Sequence, residues 1–216
     1  MDLIIDTSSE ELLVVLKNKN DIFKNQKTNS KHLENLLPQI DYVLNSADAN
    51  LSQIKTFGVV VGPGSFTGVR IGVCTVKAFM QSSKANIVAI DMLEFLNYVI
   101  SKQGLATNNY CILIKSTSTK FYALFCDIKT NTIIKQMITL ADITNSNYQF
   151  FAYKNCLNGK DLTFADISVQ IEDYIEYLEV LKTEKIYVTE SQLKPVYMAL
   201  CQAEEELAKK EELKNA

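Results

Sequence analysis

The sequence is poor in several residue types that common catalytic sites require. Its 216 residues include one histidine, one arginine, three prolines, seven glycines and no tryptophan. Because His32 is the single histidine, HExxH and other multi-histidine metal sites are excluded within this chain. A Ser-His-Asp triad would have to use the same histidine, and no G-x-S-x-G segment is present to supply its serine.

Long apolar runs and an excess of basic residues are also lacking, and we expect no export signal. No run approaches the ~18 apolar residues that a membrane span needs, so we expect no membrane association. The chain starts without a basic leader, and its five cysteines form no C-x-x-C pair, which favours a cytoplasmic protein with free thiols. The net charge of −3 argues against nucleic acid binding by this chain alone, because phosphate binding requires clustered Lys and Arg.

Hydrophobic periodicity predicts the order β-β-β-α-β-α-β-α over the first hundred residues. The predicted strands cover residues 3–6, 12–17, 22–26, 56–61 and 87–90, and the predicted helices cover residues 30–45, 67–82 and 93–101. We expect Ser30 to cap the first helix and Pro38 to kink it. An antiparallel meander extended by further strands is typical of ribonuclease-H-like folds.

The second half begins with the same pattern as the first. Residues 3–10 and residues 113–120 each place an apolar strand before a polar Ser/Thr turn, and two further strands follow in both halves. We interpret this as a degenerate internal repeat, with chance similarity of two meanders as the alternative. Later elements are predicted as helices over 167–181 and 197–213 and a strand over 185–189.

We therefore predict the α/β class, with two ribonuclease-H-like halves that contain mixed sheets, the second half being degenerate. The predicted domain organisation is an N-terminal partner-pairing domain over 1–104, joined by a C-terminal helix over 195–216, and a smaller domain over 105–194.

Five of the seven glycines and the only arginine lie within residues 58–72. This segment predicts a buried strand, a Gly-Pro-Gly turn and a helix that Ser65 or Thr67 can cap. Such a helix N-terminus can bind an anion. The segment lacks the Gly-Lys-Ser/Thr of a P-loop, and the spacing from Gly62 to Gly68 is one residue too long for a dinucleotide fingerprint. The sequence of this segment therefore neither indicates nor excludes phosphate binding.

Gly68 and Gly72 lie four residues apart and share one face of the predicted helix. Each glycine within a helix costs ~0.5–1 kcal/mol relative to alanine, so a close backbone approach is the expected reason for both. Packing on the protein's own sheet and packing against a partner helix both remain open. Arg70 is expected to contact a partner or ligand, with an intramolecular ion pair as the alternative.

The eleven residues from Gly62 to Gly72 resemble the signature of the bacterial TsaB (YeaZ) family. Residues 4–8 and the segment His32-x-Glu34-x-Leu36-Leu37-Pro38 are also similar to this family. Lys194-Pro195-Val196-Tyr197-Met198 resembles its Pro-x-Tyr-Leu segment. The resemblance is strong over the first hundred residues and weak over much of the second half.

The resemblance implies two halves of the ASKHA type, the actin and sugar-kinase class. It implies a non-catalytic scaffold subunit, not an enzyme, required for N6-threonylcarbamoyladenosine (t6A) at adenosine 37 of tRNAs that read ANN codons. The implied partners are a TsaD-like catalytic subunit and a TsaE-like ATPase, with tRNA bound only through the complex and a homodimer left open for the chain alone. It implies no metal and no cofactor on this chain alone, while ATP or ADP at the complex interface stays open.

In this family the pairing face is built from the first two helices. The resemblance therefore assigns as candidate interface residues His32, Leu33, Leu36, Leu37, Ile40, Gly64, Phe66, Gly68, Val69, Arg70, Gly72, Val73 and Val76. A second set resembles the phosphate-side turn of ASKHA enzymes and is expected to be vestigial: Asp6, Thr7, Ser8, Gly62, Gly64 and Ser65.

Two departures from the family pattern affect the second half. Lys115 stands where the repeat places the counterpart of Asp6. A metal-nucleotide site that takes one acidic residue from each half is therefore expected to be incomplete. Ala199 stands where a basic residue often occurs. For Asp6, a turn-capping role competes with the vestigial metal-side role. Two alternative functions are a small ASKHA kinase or ATPase that uses Asp6, and a homodimeric family remnant without a tRNA role.

Overall fold

The computed structural model describes residues 1–28, 31–144, 148–154 and 164–198. The first half contains strands β1 (Asp2–Asp6), β2 (Glu11–Asn18), β3 (Asp21–Thr28), β4 (Thr56–Gly62) and β5 (Asn86–Asp91), and helices α1 (His32–Ser46), α2 (Phe66–Met80) and α3 (Met92–Gln103), with a 3-10 turn at Leu51–Gln53. The second half contains β6 (Tyr110–Lys115), β7 (Lys120–Asp127), β8 (Thr132–Thr139), α4 (Leu140–Thr144), β9 (Gln149–Ala152), β10 (Ala165–Asp166) and α5 (Ile171–Thr183).

Each half is built on one five-stranded mixed sheet. In the first sheet the order is β3-β2-β1-β4-β5, with an antiparallel β1–β3 meander and parallel pairing of β1 with β4 and of β4 with β5. In the second sheet the order β8-β7-β6-β9-β10 repeats this arrangement strand for strand. The predicted α/β class with two ribonuclease-H-like halves is confirmed.

Alternate residues of the central strands face two different cores, as the two-residue period of a strand requires. Ile4 and Val60 join α3 and α5 in the core that lies between the two halves. Ile5 and Val59 join the core beneath α1 and α2. Because β4 is covered on both faces, all seven of its residues are buried, and every residue after Thr56 is apolar or glycine.

Several predicted boundaries are wrong. The helix predicted from residue 167 begins only at Ile171, where Gln170 and Asp173 form a capping box. Ile167 is buried, but it follows the short strand β10 and lies outside the helix. The strand predicted over 185–189 is reduced to an isolated bridge between Ile87 and Val188. Strands β9 and β10 and helix α4 were missed, because their segments are short and carry little periodicity.

Two predictions concern helix ends that the structure describes only in part: the start of α1 and the C-terminal helix. α1 begins at His32 after Lys31, which makes no side-chain capping hydrogen bond, and it accommodates Pro38. Ser30 and Ala199 lie outside the described residues. Residues 195–198 are not helical, and the remainder of the helices predicted over 195–216 and 197–213 also lies outside them. No helix in the described part of the chain is long and apolar enough to cross a lipid bilayer.

Candidate functional site

The glycine-rich segment forms a tight turn between β4 and α2. Gly62 has a φ of +109°, a conformation that residues with a side chain rarely adopt, and it precedes a cis Pro63. Ser65 is the N-cap of α2, and its Oγ accepts a hydrogen bond from the backbone N–H of Gly68 at 3.1 Å. The predicted cap is therefore Ser65, while Thr67 lies exposed within the first turn.

Three glycines of this segment pack against the turn that follows β1. A Cβ added to Gly64 would collide with the carbonyl oxygen of Ser8, and one added to Gly68 would collide with that of Thr7. A Cβ on Gly72 would lie 2.6 Å from Thr7 Oγ1. Of the two explanations left open by the sequence, packing on the protein's own sheet is the one that the structure shows.

The candidate interface residues divide into an exposed set and a buried set. Leu33, Leu37 and Phe66 expose 77%, 53% and 45% of their surface, and Arg70 is also exposed. His32 and Gly64 are half-buried. The remaining members lie inside the protein: Leu36, Ile40, Gly68, Val69, Gly72, Val73 and Val76. The leucine, isoleucine and valine side chains of this set pack in the core between the two helices and the sheet, so the accessible part of the set is smaller than the sequence suggested.

A shallow hollow of about 350 Å³ separates the N-terminal ends of α1 and α2. Leu33 lines it from α1, and Thr67 and Ile71 line it from α2. The His32 ring reaches the turn after β1, where its Nε2 lies 2.7 Å from the carbonyl oxygen of Ser9. His32 thus anchors the start of α1 to the same turn on which the glycines of α2 pack.

Residues from the far end of the described chain complete this surface. The backbone N–H of Val196 donates to the carbonyl of Val61 at 2.7 Å, which lays residues 194–198 beside α2. Arg70 Nε donates to the hydroxyl of Tyr197 at 2.6 Å, and the guanidinium carbon lies 3.8 Å from the ring centroid of Phe66. Sequence reasoning selected two members of this cluster and missed Tyr197, although the Pro-x-Tyr pattern contained the signal.

Asp6, from the candidate phosphate-side set, lies at a second place, between the two halves, whereas Gly62, Gly64 and Ser65 of that set belong to the turn between β4 and α2. The Asp6 carboxylate is buried and accepts hydrogen bonds from the backbone N–H of Ser8 at 2.8 Å and from the hydroxyl of Tyr174 at 2.6 Å. Burial and then the Asp6 charge raise the pKa of Tyr174 well above its usual value. Burial and the same charge raise the pKa of Tyr153 to about 12. Asp6 therefore caps its own turn and anchors α5.

A lysine from the second half closes this cleft. Lys154 Nζ lies 2.6 Å from Glu11 Oε2 and 2.7 Å from Ser9 Oγ, at the edge of a cavity of about 250 Å³. Burial alone would lower the pKa of Lys154, but its interactions with Tyr153, Asp6 and Glu11 outweigh burial and the pKa is raised. The counterpart of Asp6 at the end of β6 is the exposed Lys115. In the described ranges, no cluster of three His, Cys, Asp or Glu side chains is arranged to hold a metal ion.

Comparison with known proteins gives relatives in sequence. A family model described as "TsaD: tRNA N6-adenosine threonylcarbamoyltransferase" matches residues 20–213. The tRNA threonylcarbamoyladenosine biosynthesis protein TsaB of Bacillus subtilis is 34% identical over 96 residues, which cover 44% of this chain and 42% of that protein. The tRNA N6-adenosine threonylcarbamoyltransferase of Zymomonas mobilis is 40% identical over 63 residues, or 29% of this chain and 17% of the relative. The chain thus aligns with less than half the length of these relatives.

Comparison with solved structures shows the fold. YeaZ from Pseudomonas aeruginosa superposes with a TM-score of 0.71 at 18% identity, covering 91% of this chain and 98% of that one. The two equivalent sheets and this match show the predicted fold of two ribonuclease-H-like halves. The chain belongs to the sequence family of the TsaD model. Its resemblance to the TsaB (YeaZ) family, which the segment from Gly62 to Gly72 predicted, is confirmed by the TsaB relatives.

Proposed function

We propose that this protein is a non-catalytic subunit required for t6A formation at adenosine 37 of tRNAs that read ANN codons, acting in the cytoplasm. The observation that carries the proposal is an exposed apolar surface on α1 and α2. It lies beside a cleft in which the Asp6 carboxylate is already hydrogen-bonded to Ser8 and Tyr174. Relatives named for t6A biosynthesis and for threonylcarbamoyl transfer support the choice of reaction.

The exposed surface suits the docking of a TsaD-like subunit. Leu33 and Leu37 lie one helical turn apart on α1 and expose more than half of their surface. Large apolar side chains grouped in this way mark interaction sites, because burying each contributes ~1.5–3 kcal/mol. In this proposal a TsaE-like ATPase joins the pair, and tRNA binds only through the complex.

The cleft between the halves supports the absence of a catalytic role. Tyr174 and the backbone of Ser8 occupy both oxygens of Asp6, and Lys154 spans the opening. A metal-bound nucleotide would need a free carboxylate here, and Lys115 at the equivalent point of the second half adds a positive charge instead. ATP or ADP, where the reaction requires it, would bind at the interface with the catalytic subunit.

The proposal is tested by t6A content and by pairing. In cells that lack this protein, mass spectrometry of tRNA should show loss of t6A, and restoring the gene should restore it. Leu33→Asp and Leu37→Asp should weaken binding to the TsaD-like subunit by about tenfold or more, because each places a charge in an apolar contact. Ile134→Asp is the matched control, since Ile134 is 54% exposed on β8 of the other half.

Two results would contradict the proposal. Normal t6A in cells without the protein would exclude the tRNA role. ATP turnover by the purified chain, abolished by Asp6→Asn, would favour a small ASKHA enzyme instead.

A further inference from the structure

Arg70 is held in a fixed orientation at the edge of the proposed pairing surface. Its guanidinium stacks on Phe66 with 3.8 Å between the guanidinium carbon and the ring centroid, and its Nε donates to Tyr197. Phe66 and Tyr197 lie 5.3 Å apart between ring centroids, so the two rings support each other. Two aromatic side chains therefore restrict the rotamers of Arg70.

The guanidinium keeps most of its hydrogen-bonding capacity. Arginine has five N–H donors, and the contact with Tyr197 uses the Nε–H. Among the described residues, no carboxylate forms an ion pair with Arg70, and its two Nη groups donate no hydrogen bond. Within the described part of the chain, Arg70 does not form the intramolecular ion pair that the sequence left open, and the residue is exposed.

We propose that the Nη groups of Arg70 bind a carboxylate of the TsaD-like subunit and that residues 194–198 form part of the pairing surface. This inference rests on the proposed function and specifies the chemistry of its interface. The carboxylate would accept two parallel hydrogen bonds, a geometry that arginine offers and lysine does not. Phe66 and Tyr197 would exclude water from the ion pair, which strengthens it.

A protein carboxylate fits this environment better than an RNA phosphate. Surfaces that bind phosphate group several Lys and Arg side chains, because affinity comes from counterion release. The side chains in contact with Arg70 are instead two aromatic rings, and exposed Val196 precedes one of them. Arginine and tyrosine beside apolar residues are the composition of energetically dominant sites in protein interfaces.

The cost of ordering also favours this site. An exposed arginine loses up to ~2 kcal/mol of rotamer entropy when it is fixed on binding. Here the stacking and the Tyr197 hydrogen bond have already removed much of that freedom. The same reasoning explains why the only arginine of a lysine-rich chain stands at this position: a lysine could neither stack its charge in this way nor offer two parallel donors.

The test compares affinities for the TsaD-like subunit, measured by titration calorimetry with purified full-length chains. We expect Arg70→Lys to raise the Kd about tenfold although the charge is kept, and Arg70→Ala to raise it by at least as much. Tyr197→Phe should raise it several-fold, because it removes the hydroxyl that orients Nε. Lys77→Ala, which removes a positive charge from the last turn of α2, is the control and should leave the Kd unchanged. The melting temperature of each variant shows whether folding is intact.

The outcomes separate this inference from the proposed function. If Leu33→Asp abolishes pairing while Arg70→Lys binds like the unmodified chain, the carboxylate inference is overturned and the proposed function stands. If the unmodified chain does not bind the TsaD-like subunit at all, both are overturned. If Arg70→Lys leaves pairing intact but weakens tRNA binding by the complex, Arg70 contacts phosphate and the inference is also wrong.

Discussion

At the scale of single residues, the structure decides between the two explanations that the spacing of Gly68 and Gly72 left open. The turn after β1 lies so close to α2 that Gly68 meets the carbonyl of Thr7 and Gly72 meets its hydroxyl. The helix face formed by Gly68 and Gly72 therefore packs against the protein's own backbone. Phe66 and Arg70, which lie two residues before and two residues after Gly68, are the exposed residues of α2 that we propose for the partner contact.

This close approach predicts the effect of a single methyl group. Gly68→Ala should lower the free energy of unfolding by about 1–3 kcal/mol, because the Cβ has to displace backbone. Helix propensity alone predicts the opposite, a gain of up to ~1 kcal/mol. Urea unfolding followed by circular dichroism decides between them, with Thr67→Ala on the exposed face of the same helix as the control. A stabilised Gly68→Ala variant would show that the contact is not there.

At the scale of elements, α5 is fixed by hydrogen bonds to the opposite half. Tyr174 reaches across to Asp6, and Tyr153 lies in the same buried group beside Lys154. Residues 6 and 174 are 168 positions apart, and no periodicity in the sequence indicates that they meet. The local turn therefore indicated the capping role of Asp6, whereas its second partner could not be foreseen.

The raised tyrosine pKa values predict an alkaline limit to stability. In the unfolded chain these hydroxyls ionise near pH 10, whereas in the folded protein the pKa of Tyr153 is about 12 and that of Tyr174 is well above 10. The folded state thus binds more protons above pH 10, so the free energy of unfolding is unaffected by these groups below pH 10 and falls as the pH rises to 12.

Chemical denaturation at several pH values provides the measurement. Tyr153→Phe should make the fall between pH 10 and 12 shallower, and Tyr148→Phe, at a half-buried position outside this group, should leave it unchanged. Because lysines remote from this group contribute equally to both variants, the difference between them reports on Tyr153 together with the neighbouring Lys154, whose pKa Tyr153 raises. Identical curves for the two variants would contradict the buried position of this hydroxyl.

At the scale of the whole molecule, the two halves share one core. Ile4, Val60 and Leu96 of the first half pack in the same cluster as Ile112 and Leu178 of the second. Ion pairs cross the same boundary, including Lys182 with Asp2 at 2.7 Å and Lys135 with Asp91 at 2.8 Å. These pairs are partly buried, so the cost of desolvating their charges offsets much of their attraction. The shared apolar core therefore stabilises the contact between the halves more than the ion pairs do.

This shared core predicts that the first half does not fold stably by itself. A fragment of residues 1–104 would expose the face of its sheet that α5 covers, and we expect it to bind the dye ANS and to unfold without a cooperative transition. The full chain should unfold in one cooperative step under the same conditions. A sharp thermal transition in the fragment would contradict this and would support an independent N-terminal domain.

The sequence by itself determined the local elements and the family. The β1–β3 meander, α1, α2 and the capped turn at Ser65 all depend on neighbours within a few residues, and period, turn chemistry and capping are readable at that range. The eleven residues from Gly62 to Gly72 identified the TsaB family for a similar reason, since a tight strand-to-helix turn permits few alternatives.

Only the tertiary structure decided which residues are available to a partner. Both α1 and α2 are apolar on more than one side, so periodicity could not separate Leu33, which is exposed, from Leu36, which is buried. It also could not place Tyr197 against Arg70, 127 positions away. Such contacts depend on how the helices pack on a sheet and on where a distant segment of the chain lies. Both are determined by the burial of apolar surface over the whole chain, and no local sequence pattern indicates them.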